Sequence, residues 1–129
     1  MWAALQALRQ HAPPIVVSDG HTALTSELVL LGNGHLYAGQ YRLFPQASAC
    51  DGLLDATVFP KIGWRTLLRC GPRLLLYERL PGGVTHSLRA AQFTLTSEGR
   101  TPFELDGELV GHLPATFGVR PGALRVIVP

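Results

Sequence analysis

Gly32-Asn33-Gly34-His35-Leu36-Tyr37-Ala38-Gly39, continued through Pro45 to Asp51-Gly52-Leu53-Leu54-Asp55, is a turn-rich stretch set between apolar runs. Its glycines, an asparagine and a late acidic pair argue for tight turns that expose backbone beside a ligand or ion, and not for plain core. The flanking runs argue for sheet. Glu27-Leu28-Val29-Leu30-Leu31 reads as a buried strand entering the stretch, and Leu53 to Phe59 as one leaving it. In the second run Leu54, Ala56 and Val58 share one face, and Leu53, Asp55 and Thr57 the other. Asp55 is the anomaly of its face. Between the runs, Tyr37 and Tyr41 to Phe44 predict a further short strand, interrupted at Gly39 by a bulge or close backbone approach.

Upstream, Ile15-Val16-Val17 predicts a strand and Asp19-Gly20 a turn. In residues 1–12, Trp2, Leu5 and Leu8 fall three apart among alanines, a short helix stopped by Pro13-Pro14. A helix that short is marginal alone, so it either docks on the sheet or is the stump of an upstream segment. Downstream, Lys61, Arg65, Arg69 and Arg73 fall four apart, with Trp64, Leu67, Leu68, Leu74 and Leu75 supplying an apolar side. This is a helix with one basic stripe, ended or kinked at Gly71-Pro72. The stripe is either a solvated face or a patch that meets anions or a membrane surface.

Beyond Pro81-Gly82-Gly83 the two-residue period returns at Phe93 to Thr96, and Ser97-Glu98-Gly99 turns the chain. Asp106-Gly107 predicts a hairpin joining Phe103-Glu104-Leu105 to Glu108-Leu109-Val110. Thr116 to Val119, the Pro121-Gly122 turn and Leu124 to Val128 predict another. Many short strands separated by glycine turns predict a mainly β fold over residues 13–129, a β-sandwich or barrel-like sheet with short helices.

At 129 residues the chain is one ordinary domain, small for a two-substrate enzyme carrying its own cofactor fold. A formal charge of +2 does not suggest a nucleic-acid partner. Cys50 and Cys70 lack metal-ligand spacing and read as free thiols in a reducing, cytoplasmic setting, with a disulfide as the alternative. No run is long enough to cross a bilayer and Met1-Trp2-Ala3-Ala4 lacks a basic signal flank, so the expected location is cytoplasmic, at most peripheral at the inner membrane surface. There is no GxxxxGK[ST] or GxGxxG loop, so a self-contained nucleotide site has no support; HExxH, CxxC and GxSxG are also missing.

What remains is carboxylate chemistry. A tight turn at Asp51-Gly52-Leu53 could aim Asp51, a nearby carbonyl and waters at a hard cation such as magnesium, or be only an Asx-turn capped by glycine. Asp106-Gly107-Glu108 puts two carboxylates at a hairpin tip, where one could serve as a general base; it could equally be a plain turn.

The order Leu31-Gly32-Asn33-Gly34, Tyr37-Ala38-Gly39, Pro45, Ala47, Asp51-Gly52-Leu53-Leu54-Asp55, Asp106-Gly107-Glu108 and Pro121-Gly122-Ala123-Leu124-Arg125-Val126 resembles the carboxy-terminal domain of the diacylglycerol kinase and sphingosine kinase family, bacterial lipid kinases included. The resemblance runs from Ile15 onward. It implies a β-sandwich that is the second domain of a two-domain lipid kinase. The first domain, with a Gly-Gly-Asp-Gly-Thr signature, has no counterpart in these residues, so ATP would enter only through that missing amino-terminal domain. The resemblance also implies magnesium near Asp51, the carbonyl of Leu53 and the position of Ser48, although Cys50 stands where relatives often carry an acidic or amide residue. Glu108 would be the base that activates a lipid hydroxyl, with Asp106 shaping the turn or orienting it.

The implied function is phosphoryl transfer from ATP to a lipid alcohol such as diacylglycerol, with the isolated chain inactive because positioning both substrates is most of the work. An anionic membrane surface would meet Lys61, Arg65, Arg69 and Arg73. The alternatives are a non-catalytic lipid-binding module and a structural domain whose uncovered cleft face forms a homodimer.

Overall fold

A computed structural model describes residues 13–37, 41–77 and 80–127. The predicted amino-terminal helix and the interruption at Gly39 lie outside the described residues.

Two antiparallel sheets form the body. One runs β2 (Ala23–Ser26), β1 (Ile15–Ser18), β6 (Gln92–Ser97) and β9 (Ala115–Gly118); the other runs β3 (Leu28–Gly32), β4 (Leu54–Phe59) and β5 (His86–Ala90). Alternation along each strand decides what faces inward. Ile15, Val17, Phe93 and Leu95 of the first sheet meet Ala56 and Val58 of the second, with Leu113 closing the cluster. Burying each of the larger side chains contributes about 1.5–3 kcal/mol, which holds the two layers face to face. The mainly β sandwich read from the sequence is therefore the fold.

β4 is buried on both faces. Its second face, carrying Asp55, Thr57 and Phe59, is covered by the loop over residues 41–47, where Leu43, Phe44 and Ala47 form a smaller cluster against Leu30 and Leu80. The Thr57 hydroxyl donates to the Leu43 carbonyl at 3.2 Å and pins that loop. This loop replaces the strand expected at Tyr41 to Phe44. Only an isolated bridge joins Tyr37 to Tyr41, because the segment packs across the sheet instead of along its edge.

Three further departures have physical reasons. β2 was not evident because Ala-Leu-Thr-Ser carries little strand propensity; it forms by pairing Ser26 with Ile15 through the Asp19-Gly20 turn. The helix α1 (Trp64–Tyr77) runs through Pro72 instead of ending there. Proline inside a helix costs roughly 3 kcal/mol, and here leucines and arginines on both sides favour the helix while the ring stays exposed. Residues 123–127 follow the Pro121-Gly122 turn without entering a ladder, so the expected second hairpin is not completed. β7 (Pro102–Leu105) and β8 (Glu108–His112) form the predicted hairpin as a separate two-stranded sheet, anchored where the Phe103 ring meets Phe117 edge-on with centroids 5.1 Å apart.

Candidate functional site

The turn before β4 brings Ser48, Asp51 and Leu53 together. The Ser48 hydroxyl accepts the Cys50 N–H at 3.4 Å, the Ser48 carbonyl accepts the Asp51 N–H at 3.4 Å, and Asp51 Oδ1 accepts the Leu53 N–H at 2.9 Å. Gly52 occupies the left-handed region at φ 74°, which releases the chain into β4, and the space beside it is limited by Pro121. Each of the three residues named for a magnesium site is thus in one place.

Arg89 of β5 adds what sequence reasoning missed. It pairs across the ladder with Asp55, and its Nε lies 3.2 and 3.3 Å from the two Asp55 carboxylate oxygens. Its Nη2 pairs with Asp51 Oδ2. Asp55 is nearly buried, so the anomaly of its face is a buried charge with a partner. Both Asp51 oxygens are therefore committed, one to backbone and one to a guanidinium. Asp51 is thus held by backbone and by Arg89, and no group of three or more acidic, His or Cys ligands gathers among the described residues. No periodicity could have found Arg89, because register across the sheet, and not spacing along the chain, places it.

The glycine stretch borders an open cleft of about 430 Å³. Leu31, Gly32 and Asn33 from the end of β3 form one wall; Leu54 lies at the start of β4, and Leu105 and Phe117 come from β7 and β9. Leu54 follows Asp51 of the acidic turn by three residues and Leu105 immediately precedes Asp106, but none of Asp51, Asp55, Asp106 and Glu108 is itself among the residues that line the cleft. Asp106 and Glu108 are exposed at the hairpin tip, and neither makes a hydrogen bond or ion pair to Asp51 or Asp55. Asp106 at φ 50° and Gly107 at φ 87° form the mirror-image turn that suits a two-residue hairpin.

On α1, Arg65, Arg69 and Arg73 are exposed as a stripe, but the apolar side is not simply core: Trp64, Leu68 and Leu76 are 67%, 62% and 75% exposed. Arg65 lies over the Trp64 ring at 5.8 Å. No helix among the described residues is long and apolar enough to cross a membrane.

The family described as YegS C-terminal NAD kinase beta sandwich-like domain matches residues 1–128. The chain is 30% identical to a diacylglycerol kinase of Mycobacterium tuberculosis over 131 residues, all of this chain and 42% of that protein. It is 35% identical over 107 residues to a "Probable lipid kinase YegS-like" protein of Pseudomonas savastanoi pv. phaseolicola, 77% of this chain and 32% of that one. The chain thus spans less than half the length of these relatives. The crystal structure of a diacylglycerol kinase from Bacillus anthracis str. Sterne superposes with a TM-score of 0.61 at 20% identity, covering 88% of this chain and 41% of that one, a likeness of fold. A two-layer β fold and a family match along nearly its whole length agree: the chain belongs to the carboxy-terminal domain family of the bacterial diacylglycerol kinase and YegS lipid kinases.

Proposed function

We propose that residues 13–129 are the lipid-substrate domain of an ATP-dependent lipid kinase, active in phosphoryl transfer to a diacylglycerol-like hydroxyl when joined to a nucleotide-binding domain. The observation that carries this reading is the cleft, whose walls bring the residue before Asp106 beside Gly32 and Asn33. Glu108 would accept the hydroxyl proton, and Asp106 would fix the turn that presents it. ATP, with its own metal ions, would come with the partner domain; no step is assigned to a metal at Asp51, whose oxygens are already engaged.

In a protein joining both domains, Glu108→Gln should lower phospholipid formation about 10²- to 10⁴-fold without lowering thermal stability, the contribution expected of a general base. Unchanged turnover would remove Glu108 from the mechanism. The 129-residue chain alone should phosphorylate no lipid in Mg-ATP. Product that depends on the chain and disappears in E108Q would overturn the division of labour between two domains.

The exposed face of α1 supports contact with an anionic bilayer on the cytoplasmic side. Arg65, Arg69 and Arg73 could each contribute on the order of 1 kcal/mol near anionic headgroups, while Trp64 and Leu68 bury apolar surface at the interface. Co-sedimentation with anionic vesicles should be lost when the three arginines are reversed to Glu. A second reading, a lipid-holding or dimerising module without turnover, is favoured by Leu105, Leu109 and Val110, exposed on the hairpin beside the cleft. Saturable lipid binding without ATP binding would support the first form, and a concentration-dependent dimer without ligand affinity the second.

A further inference from the structure

We propose that Arg89 is a positioning residue, the built-in counter-cation of the Asp51 and Asp55 pair, and that the turn entering β4 keeps its shape without a divalent ion. Arg89 is fixed before the turn is reached: its backbone is held opposite Asp55 in the β4–β5 ladder. From there Nε meets Asp55 at 3.2 and 3.3 Å and Nη2 meets Asp51. The guanidinium is thus shared between a carboxylate inside the strand and one in the preceding loop. Because Asp51 Oδ1 simultaneously accepts the Leu53 N–H, the ion pair fixes the backbone just before Leu54, a wall of the cleft.

Charge and hydration both favour the arginine. Two adjacent carboxylates repel, and one guanidinium reduces their joint charge from −2 to −1. The site is partly shielded, with side-chain exposures of 32% for Arg89, 28% for Asp51 and 9% for Asp55, so the attraction exceeds that of a fully exposed pair. Magnesium would have to shed tightly held water and displace a planar donor already delivered by the sheet. This inference stands on the ion pair alone and does not depend on the kinase reading.

Thermal melts of the wild type, Arg89→Met and Arg89→Lys, each with millimolar MgCl2 or with NaCl at equal ionic strength, test it. The wild-type midpoint should not respond to magnesium beyond the NaCl control. Arg89→Met should melt about 3–6 °C lower, the scale set by a loss near 1 kcal/mol in a domain of this size, and should recover in magnesium but not in NaCl. Arg89→Lys, which keeps charge without the fork, should fall between the two. If Arg89→Met fails to fold, Arg89→Lys and the wild-type arm still decide. A wild-type midpoint raised by magnesium and insensitive to it in Asp51→Asn would overturn the proposal. So would an Arg89→Met that melts like the wild type. Equal losses in both Arg89 variants with no magnesium recovery would assign Arg89 to packing and overturn it as well.

Discussion

The ring of Phe44 occupies the space that a side chain at Gly32 would fill, so a Cβ built at Gly32 collides with it. The last residue of β3 is therefore glycine for a neighbour's sake, and the neighbour is the anchor of the loop over β4. Gly32→Ala should cost about 1–3 kcal/mol in urea unfolding, the usual penalty of overpacking. In a Phe44→Leu background the same change should cost at least 0.5 kcal/mol less, a coupling of the size seen between touching residues. Additive losses would mean that the clash is relieved elsewhere.

The Thr57 hydroxyl is buried and its partner is the carbonyl of Leu43. Thr57→Val keeps the shape and removes the donor, leaving that carbonyl unpaired at a cost of about 1–3 kcal/mol. Because the bond holds a loop onto the sheet, amide exchange should quicken first in residues 41–47 while the β1–β6 ladder remains protected. Uniform acceleration across both sheets would contradict this local role.

Gly107 sits at φ 87°, where an L side chain is strained, whereas Asp106 at φ 50° is in a region that Asp and Asn tolerate. Gly107→Ala should therefore lose about 1–2 kcal/mol, and Asp106→Asn should lose almost none. The pair separates turn geometry from the carboxylate charge: if Asp106→Asn destabilised as much as Gly107→Ala, the charge itself, and not the φ of 50° that Asp and Asn both tolerate, would hold the turn.

What was legible in the sequence divides along physical lines. Asp106-Gly107 announced its hairpin because turn chemistry is local, and Phe93-Thr94-Leu95-Thr96 announced a half-buried strand because alternation is. Tyr41 to Phe44 misled because apolar residues serve equally well in a strand or in a loop packed flat on one, and only the Gly32 contact distinguishes them. Leu124-Arg125-Val126 has strand-like alternation, yet the described residues offer it no ladder partner. Of the candidate site, the Ser48 to Leu53 turn and the hairpin tip were readable as motifs. Arg89 was not, since nothing local distinguishes it from any other exposed arginine; the β4–β5 register does.

Asp19 supplies a pH signature. Its carboxylate accepts the N–H of Thr22 at 2.6 Å and of His21 at 2.8 Å, and these bonds, Thr22's foremost, hold its pKa below the ordinary 3.8. The folded value lies below the unfolded one, so the associated stability is fully present above the unfolded value and is lost as pH falls through the folded one. Asp19→Asn should melt below the wild type near neutrality, and the gap should close as the pH drops through and below 3.8. A gap independent of pH would place the effect outside the carboxylate.

The two cysteines should react at different rates, and the slower one reports on α1. Cys50 is an exposed thiol in the acidic turn, whereas Cys70 is buried on the helix, and burial raises its pKa. A thiol needs both access and the thiolate form to react, so Cys50 should consume a disulfide reagent at once and Cys70 only when the structure around it opens. In a Cys50→Ser background, labelling of Cys70 should quicken in subdenaturing urea before the β-sheet signal changes, because Trp64, Leu68 and Leu76 are exposed and contribute little burial to hold the helix in place. If Cys70 became reactive only at the global transition, the helix would share the full stability of the sandwich.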